Sequence, residues 1–205
     1  MIDNTSLAIF IPTFFLVSIT PGMCMTLALT LGMSVGVRRT MWMMLGELIG
    51  VVTVAISAVI GGASIMLKYP DVFVIVKYLG GIYLAYIGIQ MWLSKGKMSV
   101  SKNFQSDVKR MALFTQGLFT AISNPKGWAF MVSLLPPFIN TQLEIAPQLM
   151  VLLLVIIVSE FTCMMLYASG GKTLRVFLCK GENVKLMNRI AGTLMVAVGI
   201  WLALL

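Results

Sequence analysis

The sequence contains no histidine and little negative charge, with 7 acidic residues against 15 basic ones. Lacking histidine, it offers neither a serine–histidine dyad nor a histidine metal site. Asp3, Asp71 and Asp107 all fall outside the long apolar runs, so a pair of intramembrane aspartates is absent as well. No glycine-rich loop ending in G-K-[ST] is present to hold a nucleotide. These absences argue against an enzyme. Cysteine is scarce too: Cys24, Cys163 and Cys179 are an odd, scattered set without CxxC spacing. They suggest neither a disulfide framework nor a metal centre, and read as small buried hydrophobes. No cofactor and no metal are expected.

What is abundant is apolar surface. Hydrophobic residues make up 59% of the chain and charged ones 11%, with a mean hydropathy of +0.97. A soluble domain carries about 25% charged residues. The composition is that of an all-α integral membrane protein in contact with the lipid bilayer. Asp3 stands where a secretory signal would be positive, and no small-residue cleavage site follows, so the first apolar run is expected to stay as a span. Most of the basic residues behind the net charge of +8 sit in short segments between apolar runs, without a basic stripe interleaved with aromatics. This pattern belongs to membrane topology and not to nucleic-acid binding.

A bilayer core takes about 20 apolar residues as helix. Six segments qualify, at about 7–34, 41–67, 72–93, 112–136, 147–170 and 187–205. Basic residues gather at Arg38 and Arg39, in the stretch 94–110, and at Lys172, Arg175, Lys180 and Lys185. The positive-inside rule then puts these loops in the cytoplasm and both termini outside. Residues 79–92, "LGGIYLAYIGIQMW", resemble residues 190–203, "IAGTLMVAVGIWLA", with Gly81 and Gly88 matching Gly192 and Gly199. Three spans on each side of the 94–110 loop would have opposite orientations. The expected fold is therefore a single transporter domain, 1–205, of six transmembrane helices in two inverted three-helix repeats, about 1–94 and 111–205.

The first and fourth segments carry helix breakers at similar depths: Thr20-Pro21-Gly22 and Asn124-Pro125-Lys126. Proline removes a backbone donor and clashes with the carbonyl four residues back, here Val17 and Ala121. Non-helical backbone at membrane depth is tolerated only against protein or a water-filled cavity. Both broken helices should thus face the interior. Each break offers amides that suit a carboxylate and carbonyls that suit an ammonium. An ordinary proline kink, patched by Ser18, Thr20 or a water, is the plainer alternative.

Lys126 lies roughly 15 Å from either interface, too deep for its stem to reach the surface. Glu160, also mid-membrane, is the available counter-charge, either as a static pair or in transport. Glu47 is a second intramembrane acid, nearer Arg38 and Arg39. The spacings Gly32/Gly36 and Gly46/Gly50 suit close helix contact within the protein. Trp42, Trp92 and Trp201 read as interfacial anchors, whereas Trp128 follows the second break and could line it.

At "ITPGMCM" and "ISNPKGWAF" the chain resembles the LysE/RhtB family of bacterial amino-acid exporters, and the length, the spans and the tails of spans three and six extend the resemblance over the whole chain. The resemblance implies a bacterial inner-membrane protein that exports amino acids or small derivatives, with protons as the coupling ion. It marks Thr20, Pro21, Gly22, Asn124, Pro125 and Lys126 as the two breaks, and Glu160 with Tyr167 as the family's acid and tyrosine of span five. Met23 and Cys24 depart from the family's T-P-G-P-N, which points to a softer, more apolar pocket wall.

The expected mechanism is alternating access. The substrate carboxylate docks on Lys126 and the amides after Gly22, while its ammonium meets the carbonyls before Pro21 and ionised Glu160. Substrate competing for Lys126 then triggers protonation of Glu160, and Glu47 is a second candidate for proton coupling. The alternative is a membrane-embedded substrate-binding subunit of a multi-component importer, which needs an energising partner. A homo-oligomer is compatible with either reading.

Overall fold

A computed structural model describes residues 4–94, 108–140, 142–179 and 181–204. Among these the secondary structure is entirely helical. The order is α1 (Asn4–Ile19), α2 (Met23–Ser34), α3 (Val37–Lys68), α4 (Pro70–Leu93), α5 (Arg110–Ile122), α6 (Pro125–Leu134), a short 3-10 turn (Pro136–Phe138), α7 (Ile145–Cys179) and α8 (Gly181–Leu204). Val37–Gly61 and Ile145–Gly171 are each long and apolar enough to cross a membrane. Ser6–Ile19 and Met23–Ser34 pass that test together, as one span bent by 55°. Outward-facing Ile49, Ile60, Leu79, Ile82, Leu93, Met150, Leu154 and Val158 are all well exposed, an apolar exterior suited to lipid.

Both expected breaks are present. α1 stops at Ile19 and α2 restarts after Gly22; α5 stops at Ile122 and α6 restarts at Pro125. Proline at the first helical position has no amide to leave unpaired, so it starts a half-helix as readily as it ends one. The segment expected as a loop at 171–186 is mostly helical. α7 kinks at Gly171, whose φ of +46° is one that side-chain-bearing residues rarely adopt, and a second helical stretch runs on to Cys179. The expected loop at 94–110 falls largely on residues 95–107, outside the described residues, as does Lys180.

Glycines set how the helices cross. A Cβ at Gly46 would strike the carbonyl of Phe114, and one at Gly117 would strike that of Met43, so α3 and α5 meet backbone to backbone. Gly32 lies similarly against Ala168, joining α2 to α7. Gly36 differs from the expectation of close contact: it has open space around it and a φ of +85°, and makes the turn between α2 and α3. On the α4–α8 seam, Gly81 meets Gly199 and Gly88 meets Gly192.

Two apolar clusters fill the interior. One stacks Phe10, Phe14, Phe130 and Phe138, with ring centroids 5.1–5.6 Å apart, beside Val17, Val54 and Leu152. The other gathers Met25, Leu29, Met43, Leu113, Met164 and Tyr167. The break between α1 and α2 falls where the first cluster gives way to the second. The basic end is tied down by Arg39 Nη2 donating to the Val108 carbonyl at 3.1 Å, and by Arg110 over Trp42 and Arg189 over Trp92 at 5.7 and 4.9 Å. These contacts fit the interfacial role expected of Trp42 and Trp92.

Gly117→Leu forces overpacking at a backbone contact, which typically destabilises by about 1–3 kcal/mol. Its melting temperature in detergent should fall clearly below wild type. Gly61→Ala, where nothing lies within 4 Å of the added carbon, should leave it unchanged or slightly raised.

Candidate functional site

The first break exposes carbonyls that an unbroken helix would have consumed. Thr20 returns its hydroxyl to the Leu16 carbonyl at 2.8 Å, and its amide reaches Val17 O at 3.3 Å. Residues far along the chain take the others. Lys126 Nζ donates to Val17 O at 2.9 Å, and the Tyr167 hydroxyl donates to Ile19 O at 2.8 Å. Between those two carbonyls, Ser18 Oγ donates to Glu160 Oε1 at 2.9 Å. α6 and α7 therefore hold the last turn of α1. The carbonyl end of a helix carries partial negative charge, which suits the Lys126 ammonium.

The second break satisfies itself. Asn124 caps α6, its side chain accepting from the Lys126 amide at 3.1 Å, and its own amide donates to Ala121 O at 3.2 Å. The Trp128 indole donates to Ile122 O at 2.7 Å. Trp128 therefore braces the break and does not line the site. The N-terminus of α2 has no such cap: Gly22 is extended, at φ −148° and ψ −171°, and contributes no side chain.

A cavity of about 50 Å³ lies between the breaks, with Thr20, Gly22, Asn124, Lys126, Glu160 and Glu47 in its wall. Most of the expected site residues thus come together. Pro21, Pro125 and Tyr167 stand outside the wall, shaping or bracing it. Missing from the expected set are Ser18 and an apolar lining that includes Phe14, Val51, Val54, Phe130 and Met131. Cys24, expected to be an inert buried hydrophobe, also lines the cavity. Asn124 Nδ2 points at its sulfur from 3.7 Å.

Two expectations need correction. Lys126 and Glu160 do not form an ion pair among the described residues, since each is engaged by a neighbouring position of α1, Val17 or Ser18. The carbonyls before the prolines are not vacant for a substrate ammonium: Val17 O holds Lys126, and Ala121 O holds the Asn124 amide. Glu47 is turned fully inward, 1% exposed, and does not point to the interface near Arg38. Its neighbour Gly46, pressed against α5, was the signal that this side of α3 faces the interior.

Broken helices enclosing a cavity with intramembrane charges define a helical membrane protein of the translocator class. The chain belongs to the LysE type translocator family, whose model matches residues 15–205. It is 26% identical over 194 residues to a homoserine/homoserine lactone efflux protein of Salmonella typhimurium, covering 95% of this chain and 94% of that one. It is 28% identical over 190 residues to a leucine efflux protein of Klebsiella pneumoniae, covering 90% and 88%. An uncharacterized membrane protein of Vibrio cholerae matches at 24% identity over 194 residues, covering 95% and 94%. No solved structure matches significantly. The family consists of transporters and not of enzymes.

Tyr167→Phe removes the donor to Ile19 O and leaves a buried carbonyl unpaired, a loss of about 1–3 kcal/mol. A thermal melt of the purified variant should show a clear decrease. Ser169→Ala, which removes an exposed hydroxyl bonded only within α7, should melt like wild type.

Proposed function

We propose that the chain is a secondary exporter of amino acids or small amino-acid derivatives across the bacterial inner membrane. It works by alternating access and is coupled to protons. The observation that carries this reading is the cavity shared by both helix breaks, with Lys126, Glu160 and the uncapped start of α2 in one wall. A substrate carboxylate binds Lys126 and the amides that follow Gly22, where the helix dipole favours an anion. Lys126 Nζ lies 4.0 Å from the position of a Cβ on Gly22, so one anion can reach both.

The proposed architecture is six spans in two inverted repeats of a single domain, with the basic loops cytoplasmic and both termini periplasmic. The glycine pairs on α4 and α8 support it. Matching Gly81 to Gly192 and Gly88 to Gly199 turns the Gly81–Gly199 contact into the Gly192–Gly88 contact, the exchange expected of a pseudo-two-fold axis. Basic residues held at one end by Trp42, Trp92 and Val108 support the orientation.

The bonds that hold the first break support a gated cycle. Moving Lys126 from Val17 O to a substrate carboxylate releases the last turn of α1, and Glu160 takes the proton as that charge is drawn away. Efflux relatives support this reading; the importer-subunit alternative finds no support in the family.

Lys126→Ala and Glu160→Gln should each abolish proton-driven amino-acid efflux from proteoliposomes containing the chain alone. Full efflux by both variants would end the coupling scheme.

A further inference from the structure

Glu47 lines the cavity with a carboxylate oxygen left unpaired. It is 1% exposed, and its Oε2 has no hydrogen-bond partner among the described residues. Lys126 and Glu160, by contrast, are engaged with Val17 and Ser18. A carboxylate in an apolar interior needs strong donors or a cation. The carbonyls before Pro21 are already taken by Lys126 and Tyr167, so they are not where a second ammonium goes.

We propose that Glu47 is the docking point for the substrate's primary ammonium, and that the ligand carries a short aliphatic body. The inference rests on the exporter reading above and deepens it. Glu47, Val51 and Val54 follow one another along the cavity side of α3, at the spacing that stacks side chains on one helical face. A ligand held by its ammonium at Glu47 therefore lays its body along two valines, over a length of about 10 Å. Met23, Phe130 and Met131 complete an apolar wall beside that body. The carboxylate is held separately, at Lys126, so the two ends of an amino acid bind to different groups. An amine lacking the carboxylate keeps its contact with Glu47, and an acid lacking the amine does not need it.

The test is calorimetric binding to the purified protein in nanodiscs, with three probes of the same skeleton: L-leucine, 3-methylbutylamine and 4-methylpentanoate. Wild type should bind leucine and the amine. Glu47→Gln, which keeps the shape and removes the charge, should weaken the amine by about tenfold or more, the loss of one charge-assisted contact. Glu47→Asp should recover part of that loss, and Lys126→Ala should weaken leucine while sparing the amine. Amine binding by Glu47→Gln equal to wild type overturns the proposal and leaves Glu47 as a proton site only. Leucine binding without amine binding by wild type overturns it as well, with the exporter reading intact. Wild type that binds none of the probes overturns the short aliphatic ligand proposed here, whereas failure of proton-driven efflux for any amino acid is what overturns the exporter reading.

Discussion

A backbone carbonyl without a donor is costly in an apolar interior, and the first membrane helix creates such carbonyls by stopping at Ile19. Everything else in the site follows from how they are satisfied. Lys126 comes from α6 to Val17 and Tyr167 from α7 to Ile19, so the first third of the chain is held by its second half. The same contacts solve the opposite problem, since a lysine deep in the membrane needs an acceptor as much as the carbonyl needs a donor. Each defect is the other's remedy.

This arrangement is also what makes the site responsive. An unbroken helix satisfies its own backbone and gives a ligand nothing to compete for. Here the bonds that hold α1 are made by side chains that a carboxylate can draw away, as at Lys126. The second break, closed by Asn124 and Trp128 within its own segment, carries no such dependence. The two breaks therefore differ: one is the mount for Lys126, and the other is the element it holds.

Much of this was legible in the sequence. Pro21, Gly22 and Pro125 mark the breaks because proline acts on its own backbone, a local effect. The membrane class follows from composition. The partner of Lys126 was not legible, because Val17 lies 109 positions away and any acceptor in the interior would have served. The expected partner, Glu160, turned to Ser18 instead. Composition alone left Cys24 a buried hydrophobe, and only its place in the T-P-G motif pointed to the cavity wall that it lines. Composition misled beyond Gly171, where a kink at one residue of positive φ ends one helix and a second helix forms in a basic stretch that resembles a loop.

The central claim is that both breaks face one chamber that water and substrate reach. Cys24 lies between them and reports on it directly. With Cys163 and Cys179 replaced by serine, the rate of reaction of Cys24 with a small ammonium-bearing methanethiosulfonate is measured in cells, with and without exported amino acid. The account predicts modification during transport and protection by substrate. A Cys24 that stays unreactive under all conditions, or that reacts equally with and without substrate, would contradict it.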